Sequence, residues 1–415
     1  VDYINTSIGV ATASLFMIEA SMAIPPGYAL FVSNAIRRAV RLPVIGVGRI
    51  KDPVQAERAL TQGHCDLVGV VRGQIADPDF AAKARAGRAT EVRSCLSCNQ
   101  ECVGRMGRNR WLGCIENPHT GREALEVRQG RRSAPDEVDL PSPGSWGRAV
   151  LVVGGGPAGL QAASTAARRG HRVTLLERSA NTGGQVALAA GVPGRAEFLD
   201  VVRNLLAECR RYGVQIKTST FATAESLRAL DPDVVVLATG AVPVLPAWAQ
   251  DHLRVVDVRQ VLDGSATPHG EVLVIDELGF HQATSVAELL ADRGCRVGIS
   301  TPGMVVGQDL GITLDMETFL MRAHAKSITC STDEVVMAAV AVEERIELQV
   351  LKHTTGLTHS VTVDWVVCAG QAEPELELAR ALREAPFPVH RVGDCLTPRR
   401  AHAAVIEGHR VAVSL

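Results

Sequence analysis

The stretch "AVLVVGGGPAGLQAASTAARRGHRVTLLER", residues 149–178, constrains the fold more than any other part of the chain. An unalternating apolar run ends at a glycine-rich turn, an alanine-rich helical pattern follows, and a second apolar run closes on an acid. Strands without alternation are buried on both faces, as in a parallel sheet covered by helices. Gly154, Gly156 and Gly159 stand in G-x-G-x-x-G spacing. That spacing permits a tight turn and brings backbone N–H groups to a pyrophosphate at the positive end of the helix. Glu177 lies 21 positions after Gly156, at the end of the second strand, where a carboxylate can accept from an adenosine ribose. Strand, helix and acid in one unit predict a bound dinucleotide; a turn that serves packing alone is the blander alternative.

A second strand-turn-helix-strand unit, "EVLVID" through "CRVGIS", begins about 120 residues later. The repeat predicts two nested Rossmann-like nucleotide-binding domains, the second inserted into the first. The expected boundaries are 148–245 with 366–415 for the first and 246–365 for the second, an NAD(P)-binding-like domain. Its turn, Glu277-Leu278-Gly279-Phe280-His281, has one glycine where three are expected. Asp276 and Glu277 would repel a pyrophosphate unless paired. Either a nicotinamide nucleotide binds in a modified way, or the domain keeps its fold without that ligand.

Residues 1–92 read as three strand-helix units, with strands at "DYINTS", "LPVIGVGRI" and "CDLVGVVRG". Asp52 sits where a helix starts and Gly63 where it stops. This again predicts a parallel sheet, yet three units cannot close an eight-stranded barrel, which takes roughly 200 residues or more. Residues 128–147 are charged and rich in Pro, Gly and Ser, as a linker would be. A stripe of Phe198, Val201, Val202, Leu205, Leu206 and Cys209 marks one buried helical face.

Cys95, Cys98, Cys102 and Cys114 form C-x2-C-x3-C-x11-C within residues 93–127. Structural zinc sites usually pair two short knuckles. Three cysteines within eight residues and a fourth at a distance suit the corners of a [4Fe-4S] cube better. Zinc remains the alternative. The other six of the ten cysteines are scattered, as small buried hydrophobes usually are. A disulfide framework does not suit a chain of 415 residues without a secretory leader pattern, and a reducing cytoplasmic setting is expected. A net charge of -2 offers no basic surplus for nucleic acid, and no apolar run is long enough for a membrane span.

Together these motifs resemble the 2,4-dienoyl-CoA reductase and trimethylamine dehydrogenase branch of the old yellow enzyme family. "INTSIG", "VGRIKDP" and "VVRGQIADP" are similar to the sixth, seventh and eighth strand regions of its FMN barrel. "CLSCNQECVG…GCIENP" is similar to its iron–sulfur segment, and "GGGPAGL…LLER…GGQ…LATGA…VGDC" to its FAD domain. The resemblance implies the C-terminal part of a (β/α)8 barrel, an iron–sulfur segment and two nested Rossmann-like domains, all α/β. It also makes Val1 read as the middle of a domain, with five barrel strands expected elsewhere.

By the same resemblance Gly48, Arg49 and Arg72 hold the FMN phosphate, and the four clustered cysteines ligate [4Fe-4S]. Gly154, Gly156, Gly159, Glu177 and Arg178 serve the adenosine end of FAD, while Gly184, Gln185, Gly393 and Asp394 lie nearer its flavin. The implied function is an oxidoreductase that passes electrons between a small organic substrate at FMN and NAD(P)H or an electron carrier, with homo-oligomers common in the family. Two departures qualify this. Ala11 stands where the dienoyl-CoA reductases place a proton-delivering histidine. "DELGFHQATSVAELL" is closer to the amine dehydrogenase version, in which electrons leave to a protein acceptor. "TPGMVVGQDLGITLDMETFLMRAHAK" resembles a subgroup associated with the peptide redox cofactor mycofactocin.

No side chain stands out as catalytic. His281 and His402 read as structural histidines, and Lys51 and Asp52 as a helix start. Competing readings are an electron-transfer module that feeds a partner subunit, and a zinc-stabilised nucleotide-binding protein without turnover.

Overall fold

The computed structural model describes residues 1–124, 147–249 and 254–415. The expected linker lies outside the described residues except for Gly147. The chain divides into two compact units: 1–187 with 197–241 and 374–415, and 188–196 with 242–373. No helix among the described residues is long and apolar enough to cross a membrane.

The first unit opens with a small parallel sheet of Ile4–Asn5, Val44–Gly46 and Leu67–Val68, in that order. Helices Leu30–Ala39 and Pro53–Thr61 connect its strands. Asp52 caps the second of these by accepting from the Gln55 N–H at 2.9 Å, as the sequence predicts.

The same unit holds a five-stranded parallel sheet in the order Val389–Arg391, Val234–Leu237, Ala149–Val153, Arg172–Leu176, Gln215–Lys217. Helix Pro157–Arg168 follows the glycine turn, and the terminal helix Ala401–Ser414 packs across it. Glycine makes that crossing possible. A Cβ on Gly408 would lie 2.3 Å from the Ala158 carbonyl oxygen, and one on Gly159 would lie 1.9 Å from that of Gly154.

The second unit is built on a parallel sheet ordered Thr329–Ser331, Arg296–Ser300, Glu271–Asp276, Trp365–Ala369, Val255–Asp257. Helices cover one face, with Val274, Val286, Leu290 and Phe319 in the core between. The other face packs on an antiparallel sheet of Glu334–Val342, Arg345–Lys352 and Leu357–Val363. Ile346, Leu348 and Val350 alternate inward from it, each at most 2% exposed, the period expected of a sheet with one wet face.

One expected boundary moves. Trp365–Ala369 was assigned to the first domain from residue 366, but it pairs with Glu271–Asp276 and Val255–Asp257 in the inserted sheet. Its apolar, unalternating sequence suits the centre of either parallel sheet, so only pairing decides the owner. The chain returns to the first unit at Pro374.

Candidate functional site

The four clustered cysteines line one cavity, together with Arg72, Asn99, Glu101 and Glu116. Ser97 and Asn99 both adopt φ of +54°, and these left-handed positions curl the loop so that Cys95, Cys98 and Cys102 face inward. Backbone N–H groups already point at the sulfurs: Ser97 N–H to Cys95 Sγ at 3.3 Å and Glu116 N–H to Cys114 Sγ at 3.4 Å.

Burial pushes the Cys102 thiol up to about 11, and it raises the Cys98 and Cys114 thiols as well. Four mutually repelling thiolates therefore need positive charge among them. The hydroxyl of Ser97 is buried without a partner among the described residues, a donor suited to inorganic sulfide. Donor set and spacing fit a four-cornered cluster.

The cysteine segment is mounted on helix Leu199–Arg211 of the glycine-loop domain. Phe198, Val201, Val202, Leu205 and Cys209 are buried as the stripe predicts, and Leu206 is half-buried. Polar residues flanking that stripe serve the mount. Arg93 donates to both Glu208 oxygens, at 2.7 Å and 2.5 Å, and to the Glu116 carbonyl. Asn204 donates to Glu116 at 3.1 Å and Arg203 to Ser94 at 3.1 Å. Burial pushes the Glu116 carboxyl up to about 7, against the pull of Arg93. The sequence reading missed these residues because charged residues on an amphipathic helix look like a solvated side.

The two arginines expected at a phosphate have internal partners here. Arg49, at φ +58° beside Gly48 at φ +141°, pairs with Glu197 and donates to the Ile24 carbonyl at 2.5 Å. Arg72 opens helix Arg72–Ala76 and donates to the Ala20 carbonyl at 2.8 Å and to Asn99 Oδ1 at 2.5 Å. Lys51 joins the first of these groups through Glu197 at 3.0 Å and Asp200 at 3.3 Å. Glu197 and Asn99 were not singled out from the sequence, although Asn99 sits between two of the cysteines.

The dinucleotide positions converge. Gly156 caps helix Pro157–Arg168 with no side chain on the free N–H groups, and a Cβ placed on it would meet nothing within 4 Å. That is an open anion site at a helix N-terminus. Glu177 sits directly beneath, accepting from Gly155 N–H at 2.6 Å and Ser179 N–H at 2.7 Å, while Arg178 is exposed. A Cβ on Gly184 would come within 3.3 Å of the Gly156 Cα. Gln185 bonds Asp394 at 2.8 Å, and Gly393, at φ +65°, abuts Ala158. Groups from four stretches of sequence thus surround one opening, and they fit a dinucleotide.

The second unit does not repeat this. Asp276, fully buried, turns its carboxylate into the turn and accepts from Gly279 N–H and Gly307 N–H, each at 2.8 Å. Burial pushes this carboxyl up while the surrounding N–H groups, those of Leu278 and Phe280 included, pull it down. The carboxylate thus takes N–H groups of the turn, while the first N–H groups of helix His281–Asp292 carry no side-chain cap. His281 starts helix His281–Asp292 and lies 3.2 Å from Asp315. His402 lies 3.2 Å from Glu101, and burial lowers it to about 4. Both histidines are held by carboxylates, as structural histidines are.

Comparison with known proteins agrees with this architecture. The pyridine nucleotide-disulphide oxidoreductase family matches residues 148–383, more than half of the chain. The chain belongs to that family. Ahead of this pyridine nucleotide-disulphide oxidoreductase region, residues 21–91 match the NADH:flavin oxidoreductase / NADH oxidase family. The chain therefore joins a barrel segment of one flavin-binding oxidoreductase family to the nested domains of another. An N,N-dimethylglycine/sarcosine dehydrogenase of Chromohalobacter salexigens is 32% identical over 94% of this chain. An NADH oxidase of Thermoanaerobacter brockii is 34% identical over 99%. The chain spans 60% and 61% of these two relatives. Among solved structures, 2-naphthoyl-CoA reductase is 27% identical with a TM-score of 0.85, covering 95% of this chain and 57% of its own. Histamine dehydrogenase from Rhizobium sp. 4-9 is 25% identical with a TM-score of 0.82, covering 92% and 60%.

Proposed function

We propose that the protein containing this chain is an iron–sulfur flavoprotein oxidoreductase that oxidises an amine and delivers the electrons to a protein or peptide carrier. The observation that carries the reading is the mounting of a four-cysteine cavity on the helix that also packs behind the dinucleotide loop. When bound, the flavins supply two-electron exchange with organic partners and the cluster supplies single-electron passage between them.

The residues of the chain supply position. Cys95, Cys98, Cys102 and Cys114 hold the cluster. Gly154, Gly156 and Gly159 admit the pyrophosphate of FAD, Glu177 and Arg178 face its adenosine end, and Gly184, Gln185, Gly393 and Asp394 border its flavin end. Gly48, Arg49 and Arg72 would hold the FMN phosphate, Arg72 from the position at which the Ala20 carbonyl and Asn99 fix it.

Amine oxidation is favoured over reduction of an unsaturated thioester because Ala11 has no proton to deliver. The names of the dimethylglycine/sarcosine and histamine dehydrogenases agree with that choice. Exit to a carrier is favoured over NAD(P)H because the second turn has one glycine where three are expected and holds the buried Asp276 carboxylate. The test is anaerobic purification of the full-length protein with iron, acid-labile sulfide and flavin assays. Cys98→Ala should lose iron and sulfide and keep FAD; a native preparation with zinc and no iron would overturn the reading.

A further inference from the structure

The barrel segment and the cysteine loop share one guanidinium. Arg72 lies at the end of the strand region Leu67–Val68, where the resemblance places a phosphate ligand, yet it lines the cysteine cavity. It is fixed there by two acceptors, the Ala20 carbonyl at 2.8 Å and Asn99 Oδ1 at 2.5 Å. Asn99 is fully buried within the cysteine loop, and its amide donates to the Glu19 carbonyl at 2.6 Å. The guanidinium is thereby held against the loop rather than free to swing.

The charges around the cavity make Arg72 singular. Of the described side chains that line it, Arg72 alone is cationic. The two carboxylates there have their own partners: Glu101 pairs with Arg105 at 3.0 Å and His402 at 3.2 Å, and Glu116 accepts from Asn204 at 3.1 Å. A four-thiolate cluster is an anion whose charge grows by one on reduction, in a site with little water to screen it. A fixed cation beside it favours the reduced form more than the oxidised form.

Resting on the iron–sulfur reading above, we infer that Arg72 sets the reduction potential of the cysteine site, as a counter-charge anchored through Asn99, in addition to any contact with FMN phosphate. It is a tuning residue for electron passage and acts on potential rather than on substrate.

The test is anaerobic spectroelectrochemical titration of the full-length holoprotein and its Arg72→Gln and Arg72→Lys variants, with iron and acid-labile sulfide measured on each. Arg72→Gln should retain the cluster and shift its reduction equilibrium at least about tenfold toward the oxidised form, about 59 mV for one electron. Arg72→Lys, which keeps the charge, should shift it less than half as far on the logarithmic scale. An unchanged potential in Arg72→Gln with full iron would overturn the inference while leaving the iron–sulfur reading intact. Equal shifts in the two variants would also overturn it, because charge would not be the cause. If Arg72→Gln loses its iron, Arg72→Lys decides: a retained cluster near the native potential supports the inference, and loss overturns it. Absence of iron and sulfide from the native protein would overturn both readings together.

Discussion

The side-chain amide of Gln185 donates to a carboxylate oxygen of Asp394 at 2.8 Å, joining positions 209 residues apart at the mouth of the dinucleotide opening. Each residue follows a glycine with positive φ, Gly184 at +51° and Gly393 at +65°. The bond ties together two turns whose backbones pass close to Gly156 and Ala158. This charge-assisted bond is solvent-exposed and contributes about 1.5 kcal/mol, the low end for such pairs. Gln185→Ala should therefore weaken FAD retention about tenfold while iron content stays constant. Flavin released on denaturation, measured against protein, checks this.

Gly159→Ala should destabilise the first unit. Its Cβ would sit 1.9 Å from the Gly154 carbonyl oxygen, and Gly154 is itself closed in by the Ala238 carbonyl. Neither backbone can retreat cheaply, and overpacking of this kind costs about 3 kcal/mol. A urea unfolding curve should show a lower midpoint in apo and holo protein alike, whereas a purely ligand-contact role would spare the apo form.

Arg93→Ala should loosen the mount of the cysteine segment. Burial pushes the Glu208 carboxyl up, but Arg93, joined by Arg168 and Lys83, offsets this and holds it below its usual range. The Arg93 side chain is 12% exposed and that of Glu208 is 32% exposed. Because Glu208 keeps partial contact with water, the loss should be about 2 kcal/mol, below the 3–5 kcal/mol of a fully buried pair. In a double-mutant cycle, Arg93→Met with Glu208→Met should recover part of it; strict additivity would refute the coupling.

Acid should weaken the first unit through His171. This residue is 5% exposed and neither ring nitrogen has a partner among the described residues. Burial, then Arg169 and Arg148, hold its pKa below 6.5. The unfolded chain binds the proton more readily, so stability is full above about pH 6.5 and falls as the pH drops below it. Tm measured from pH 7.5 to 5 should fall more steeply for the native protein than for His171→Phe. Parallel curves would show that His171 contributes nothing.

Neither NADH nor NADPH should bind the second unit with saturation, because Asp276 already takes the Gly279 and Gly307 N–H groups. Calorimetric titration of the oxidised holoprotein under anaerobic conditions checks this. Saturable heats, abolished by ADP-ribose competition, would show that the turn opens for a nucleotide.

Glycine spacing, the acid at Glu177 and the cysteine run were legible because each depends on local geometry: a turn needing φ > 0, a strand end, a loop short enough to bring three sulfurs together. The open position at Gly156 and the cavity of the cysteine loop follow from those same residues. The strand Trp365–Ala369 was misplaced because a buried parallel strand carries no mark of which sheet it enters. The antiparallel sheet Glu334–Val363 is not among the expected elements: its central strand alternates at Ile346, Leu348 and Val350, but small residues and a bulge between Val336 and Ala338 break the pattern in the strand before it. The polar residues of Leu199–Arg211 were legible as polar, but not as a mount.

By itself, then, the sequence determined the kinds of element, their order, and which backbone turns and thiols could meet a phosphate or an iron–sulfur cube. Tertiary structure alone decided where the long-range charges went. It placed Arg93 on Glu208, Arg49 on Glu197, Arg72 on Asn99, and Asp276 inside its own turn. The physical reason is range. Propensity and turn chemistry act over a few residues, whereas a buried charge takes whichever counter-charge or N–H group the folded chain brings within about 3 Å.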